Sequence, residues 1–192
     1  MQTTTLTTPD GPFSVVVAAV PATLGSPAAD GALPAGEPRE QVLAAGWTDD
    51  VGSLLALVHP TLRPSAVGQG ANPAEKPTGL LAEAADAVRA YYDGDHGAPG
   101  RVPVLQASGP YRTHAWDVLR EVKAGERLTY SEYAVRTGRP AAVRAAAGAC
   151  AMNAAALFVP CHRILRTDGT LGGFRYGLPI KQSLLAREAP TA

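Results

Sequence analysis

The segment Phe158 to Leu165, FVPCHRIL, carries the densest chemistry in this chain: Cys161 and His162 stand side by side after a proline, with Arg163 next. A cysteine is a good nucleophile only as thiolate, a minor species of an ordinary thiol at neutral pH, so it needs a base or a positive charge nearby. His162 can be that base. Neighbouring side chains diverge in strand and helix alike, so the expected link from His162 to Cys161 is a bridging water. The imidazole then needs a partner to fix its tautomer, and Glu188 is the best-placed carboxylate. The residues alone leave other readings of Cys161 open. It could be a buried structural cysteine, or the nucleophile of a thiol hydrolase using His59, His96 or His114. It could also be a zinc ligand, although companions at workable spacing are missing.

The elements that must position these residues begin with the composition. Cys150 and Cys161 are the only cysteines, too few for a disulfide framework, and a reducing cytoplasm is the expected setting. The first residues, MQTTTLTTPDG, lack the basic and apolar parts of a signal peptide, and no apolar run is long enough to span a membrane. The net charge is zero but unevenly placed. Residues 1–100 hold four Lys/Arg against eleven Asp/Glu, and residues 101–192 hold thirteen against six. That split is expected when one half faces a polyanion.

In the first half, Phe13–Val20 and Gln41–Trp47 read as strands and Arg101–Gln106 as a further edge strand containing Pro103. Asp49 or Asp50 caps a short helix running to His59, and Thr78 caps one running to Tyr92. Residues 21–39 and 60–77 read as loops. The expectation is a small α/β domain over 1–106, without chemistry of its own, and a mostly α domain over 107–192. In the second, helices are expected from Pro110, from a cap at Ser131 to Gly138, from Pro140 to about Ala151, and over Pro179–Glu188. The middle pair has helix-turn-helix spacing. Its second helix, PAAVRAAAGACA, has none of the polar side chains of a major-groove reader except Arg144. It reads either as a buried small-residue helix or as one slim enough for the minor groove with one arginine to insert. Cys150, on that helix, reads as structural.

Pro160-Cys161-His162-Arg163 resembles the active-site signature of the methylated-DNA–protein-cysteine methyltransferases, or O6-alkylguanine-DNA alkyltransferases, and the similarity runs without a gap from about Pro110 to Glu188. The resemblance implies direct-reversal DNA repair. O6-alkylguanine, and less readily O4-alkylthymine, would be flipped from duplex DNA and its alkyl group moved irreversibly onto Cys161. It assigns His162 to activating Cys161 and Glu188 to holding the imidazole. Arg144 becomes the finger that fills the gap in the stack, with Ala141 and Ala145 beside it on the DNA. Tyr130 helps rotate the nucleotide and donates toward the purine, and Asn153 braces the turn before the active-site segment. The base pocket would comprise Cys150, Val159, Pro160, Ile164, Gly172, Gly173, Phe174, Arg175 and Tyr176. The implied first domain is ribonuclease-H-like, and the partner is duplex DNA bound by a monomer, with cooperativity left open. No cofactor or metal is expected, since the zinc of some relatives needs cysteines this chain lacks. An alkyltransferase-like module that grips lesions without reacting is the alternative; its members lack the cysteine.

Departures from the family pattern carry expectations too. Ala154 follows Asn153 where proline is usual, which predicts a less rigid turn. Cys150 replaces a larger apolar residue and Ala151 an often basic one. Phe174 keeps a ring without the hydroxyl, and Tyr176 is expected to narrow the pocket mouth.

Overall fold

The computed structural model describes residues 1–21, 37–63 and 77–189, so the loops expected at 21–39 and 60–77 lie, apart from their ends, outside the described residues. Strands β1 (Gln2–Thr8), β2 (Gly11–Val20) and β3 (Arg39–Gly46) form an antiparallel sheet in that order. Both faces of β2 are covered. Phe13, Val15 and Val17 pack into the core that includes helix α2 (Gly79–Tyr92), while Val16, Ala18 and Val20 pack with Leu54 of helix α1 (Val51–Leu57). That explains the unbroken apolar run, since a strand covered on both faces does not alternate.

The far edge of β3 is closed by two later segments. Val42 bridges Val104 and Ala45 bridges Ala155, both in parallel sense. Ala45 N donates to Ala154 O and Ala156 N to Ala45 O, each at 2.9 Å. The segment leading to Cys161 is therefore held on the sheet of the first half. A single core cluster runs from Phe13 and Tyr91 through Leu119 and Phe158 to Leu184. The fold is mixed α/β.

Helices α3 (Pro110–Glu121), α4 (Tyr130–Arg136), α5 (Val143–Ala151) and α6 (Leu178–Arg187) build the second half, with a short parallel pair, β4 (Leu128–Thr129) and β5 (Ile164–Leu165). Several sequence expectations need correction. β1 was not foreseen. Arg101–Gln106 is no strand, because Ala98–Arg101 forms a 3-10 turn and only Val104 makes a bridge. The cap of α4 is Thr129, not Ser131: its hydroxyl accepts from Glu132 N at 3.2 Å while the Glu132 carboxylate accepts from Thr129 N at 2.7 Å, a reciprocal capping box. Helix α5 starts three residues after Pro140, because Ala142 N donates to Arg139 O at 2.8 Å and closes a turn first. Thr78 precedes α2 without a side-chain cap, and Glu40 Oε2 instead accepts from Leu80 N at 3.0 Å. Asp50 does cap α1, accepting from Ser53 N at 3.1 Å. Among the described residues no helix is long and apolar enough to cross a membrane.

Candidate active site

Cys161 opens a 3-10 turn, Cys161–Arg163, and its chain is set by short-range bonds. Cys161 N donates to Val159 O at 2.9 Å and Arg163 N to Pro160 O at 3.1 Å. The loop before it bends sharply at Leu157, at φ +72° the one non-glycine residue with positive φ among the described residues. Such a conformation costs a side-chain-bearing residue on the order of 1 kcal/mol or more. Asn153 braces the loop. Its Nδ2 donates to Val159 O at 2.8 Å and to Cys161 Sγ at 3.2 Å, and its Oδ1 accepts from Ala155 N at 3.1 Å and from Gln106 Nε2 at 3.0 Å. Gln106 Oε1 in turn accepts from Ala154 N at 2.7 Å. The turn expected to be loose where alanine replaces proline is thus tied by a side chain from before α3.

Behind Cys161 lies a buried charge cluster. His162 Nε2 donates to Glu188 Oε1 at 2.9 Å, which also accepts from Tyr91 Oη at 3.0 Å and Arg163 Nη2 at 2.8 Å. Arg163 Nε reaches Glu188 Oε2 at 2.9 Å, and Arg163 Nη1 donates to Val122 O. Burial alone would raise the Glu188 carboxyl. Hydrogen bonds and charge from His162 and Arg163 outweigh it and hold the group well below the usual carboxylate range. Burial pushes the His162 imidazole down, opposed in part by Glu188 and reinforced by Arg163 and Lys181. The imidazole is therefore neutral at pH 7, with Nε2–H turned to Glu188 and the lone pair on Nδ1. Nδ1 is buried with no hydrogen-bond partner among the described residues. Burial also raises the Cys161 thiol, against the Asn153 hydrogen bond and the charges of Lys181 and Arg175. The thiol is thus protonated at rest and needs a base to take its proton.

Cys161 faces a cavity of about 460 Å³ lined by Tyr130, Ala147, Cys150, Ala151, Asn153, Ala156, Gly173, Phe174, Arg175 and Tyr176. Most of the expected pocket is here, and Cys150 forms part of its wall. Val159, Pro160 and Ile164 do not line the cavity; they are buried, and the Val159 carbonyl accepts from both Asn153 Nδ2 and Cys161 N. Gly172 backs onto Tyr130, where an added Cβ would lie 3.3 Å from the ring. Burial, then the nearby Cys150 and Cys161 sulfurs, push the Tyr130 phenol up to about 12. Arg144, Ala141 and Ala145 are exposed, while Ala146 and Ala149 of the same stretch are buried.

Two ties hold the cavity's outer wall. Arg175 Nη2 donates to Ala151 O at 2.7 Å, and Tyr176 Oη to Ala45 O at 3.3 Å. Tyr176, Phe174 and Trp47 form an aromatic cluster with centroids 5.5–5.9 Å apart, a spacing typical of favourable ring pairs. A Cβ on Gly46 would sit 1.9 Å from Tyr176 Oη, so that glycine makes room for the phenol.

The sequence reading did not foresee Gln106, Tyr91, the structural part of Arg163, or Lys181. Lys181 is fully buried, donating to Ile164 O at 2.6 Å and also to Leu171 O. Its place on the same helical face as Leu184 and Leu185 was the available signal. Among the described residues no group of three or more His, Cys, Asp or Glu side chains could hold a metal ion.

Residues 110–190 match the family described as 6-O-methylguanine DNA methyltransferase, DNA binding domain. The bifunctional transcriptional activator/DNA repair enzyme Ada of Escherichia coli (strain K12) is 47% identical over 91 residues, 47% of this chain and 26% of that protein. The methylated-DNA–protein-cysteine methyltransferase of Haemophilus influenzae is 40% identical over 98 residues, 51% of this chain and 55% of that protein. The chain thus matches less than two thirds of the length of these relatives. The crystal structure of Mycobacterium tuberculosis OGT in complex with DNA has a similar fold, at TM-score 0.64 and 22% identity, over 99% of this chain and 96% of that one.

Proposed function

We propose that this chain, whose residues 110–190 match the 6-O-methylguanine DNA methyltransferase DNA-binding domain, is a member of that family and repairs duplex DNA by taking the alkyl group of O6-alkylguanine onto Cys161. O4-alkylthymine is a poorer substrate in this reading. The observation that carries it is the Cys161 thiol on the wall of a cavity with room for a purine base, backed by His162 held by an ionised Glu188. Relatives such as the methylated-DNA–protein-cysteine methyltransferase of Haemophilus influenzae, named for methyl transfer to a protein cysteine, support the same chemistry.

The lesion is extruded, because a base inside the stack cannot reach a thiol in a pocket, and extrusion costs on the order of a few kcal/mol. The Cys161 proton passes through a water to His162 Nδ1, and Glu188 steadies the resulting imidazolium. Sγ displaces the guanine O6 from the alkyl carbon: the S–C bond forms, the C–O bond breaks, and the electron pair stays on the guanine. Tyr130 donates toward the purine as that charge develops. The thioether is a poor leaving group, so one molecule repairs one lesion. Arg144, Ala141 and Ala145 face the DNA, with Arg144 filling the gap in the stack.

The same reading takes residues 1–106 as a ribonuclease-H-like domain, supported by the antiparallel β1–β3 sheet with α2 against it. It takes α4 and α5, within residues 107–192, as a helix-turn-helix. It takes the protein as a monomer in the cytoplasm, a reducing setting in which its two free thiols stay unpaired.

The test is an intact-protein mass spectrum after incubation with excess duplex carrying one O6-methylguanine. One methyl on Cys161 by peptide mapping, absent in Cys161→Ser, is the expected result. No methyl with retained lesion binding would instead make the chain a non-reactive lesion-binding module.

Tyr176 sets the size limit in this scheme. Tyr176→Gly removes the wall that leans on Gly46 and Trp47, and benzyl transfer from free O6-benzylguanine should rise by on the order of tenfold, within the range a pocket wall discriminates. Methyl transfer should change far less. Equal benzyl transfer rates in the two proteins would show that Tyr176 does not limit entry.

A further inference from the structure

We infer that Gln106 is a positioning residue for the acceptor thiol, acting through Asn153. The inference rests on Cys161 being the nucleophile. Ala154 N–H is a backbone donor in a buried residue, so whatever meets it must be an acceptor. Gln106 Oε1 meets it at 2.7 Å, which fixes the Gln106 amide with Nε2 facing away from Ala154. Nε2 donates to Asn153 Oδ1 at 3.0 Å, so Asn153 in turn points its NH2 the other way. That NH2 donates to Val159 O at 2.8 Å and to Cys161 Sγ at 3.2 Å.

All four hydrogen-bonding positions of the Asn153 amide are filled, two by acceptance from Gln106 and Ala155 N and two by donation. The order Ala154 N–H, Gln106, Asn153, Sγ is therefore a directional chain, and reversing either amide would set like atoms against each other. Its end product is a donor aimed at sulfur. A donor there favours the thiolate, which is the nucleophile and which burial of Cys161 otherwise opposes. Gln106 comes from the segment that also bonds β3, where Leu105 N donates to Val42 O at 3.0 Å. The sheet of the first half thus reaches the sulfur through two side chains.

Gln106→Glu is the discriminating variant. It keeps the size of the side chain and an oxygen for Ala154 N–H, but it sets a carboxylate against Asn153 Oδ1. The readout is the pH profile of Cys161 labelling by iodoacetamide, followed by peptide mapping; thiolate sulfur displaces iodide, so the rate follows the thiolate fraction. The profile should move alkaline by about one pH unit, roughly a tenfold loss of labelling at neutral pH. Gln106→Met, close in volume and without either bond, should shift it in the same direction, and serves if the charged variant does not fold. In an Asn153→Ala background the shift caused by either variant should vanish, because the coupling passes through Asn153.

A profile that coincides with the parent while thermal stability falls would make Gln106 a purely structural residue. A shift that persists without Asn153 would assign it another route, and either result overturns the inference. Iodoacetamide needs no DNA, so a protein that failed to accept methyl from O6-methylguanine duplex yet showed the shift would lose the proposed function and keep this role for Gln106.

Discussion

Glu188→Gln is expected to cost the fold about 3–5 kcal/mol, the loss that follows when one partner of a buried ion pair is removed. The Arg163–Glu188 pair is 2.8 Å long, with side chains 8% and 2% exposed. The amide would leave the guanidinium charged and unpaired in the core and would turn a donor toward His162 or Arg163. Against a total stability of about 5–15 kcal/mol for an ordinary domain, that loss is large. Arg163→Met combined with Glu188→Gln should recover part of it, since the worst element of the single variant is the stranded charge. The sign of the pH dependence follows from the two groups. The folded Glu188 carboxyl titrates below its ordinary value of 4.5, so its contribution is complete above that value and is lost as pH falls from there toward the folded value. The folded His162 imidazole titrates below 6.5, so stability also begins to fall as pH drops through 6.5. Urea denaturation from neutral to acid pH should therefore show parent and Glu188→Gln drawing together at the acid end. A loss below about 1 kcal/mol at neutral pH, the worth of an exposed pair, would mean that the cluster does not hold the fold.

The parts of this arrangement that were legible in the sequence are those with a local signature. β2 and β3 are apolar runs bounded by glycine and proline, and α3 and α6 follow from a proline at the start and a helical apolar stripe. β1 was missed because it buries only Leu6, so QTTTLTT shows no apolar alternation; its β-branched threonines and the following Pro9-Asp10-Gly11 turn were the weaker signal. The site divides in the same way. Cys161, His162 and Glu188 stood out by residue type and spacing, and the cavity wall holds Cys150, Gly173, Phe174, Arg175 and Tyr176 of the pocket residues the family resemblance named, with Tyr130, Asn153 and Cys161. The partners that orient them did not stand out, because a hydrogen bond across the fold leaves no spacing to read. Tyr91 and Glu188 are 97 residues apart, and Gln106 and Asn153 are 47 apart. The first half, read as free of chemistry, supplies Tyr91 to the charge cluster, Gln106 to the turn, and Gly46 and Trp47 to the packing behind Tyr176.

Arg144→Ala is expected to slow repair in duplex DNA by roughly tenfold to a hundredfold, on the order of 1–3 kcal/mol, while leaving transfer from free O6-benzylguanine within about twofold. The expectation comes from where the side chain sits. Arg144 is exposed in the first turn of α5, and no ion pair among the described residues involves it. Its neighbours on that surface, Ala141 and Ala145, are exposed and small, whereas Ala146 and Ala149 face the core. A helix with so little bulk can bring its backbone close to a minor groove only about 6 Å wide, and the arginine is then the one long side chain able to occupy the place of an extruded nucleotide. A free base analogue has no stack to refill, so it should not register the loss. The two substrates therefore separate extrusion from chemistry. Single-turnover rates on both, measured for the parent and for Arg144→Ala, decide the matter. Parallel losses would mean that Arg144 supports the pocket or the fold, and the gap in the stack would then need another occupant.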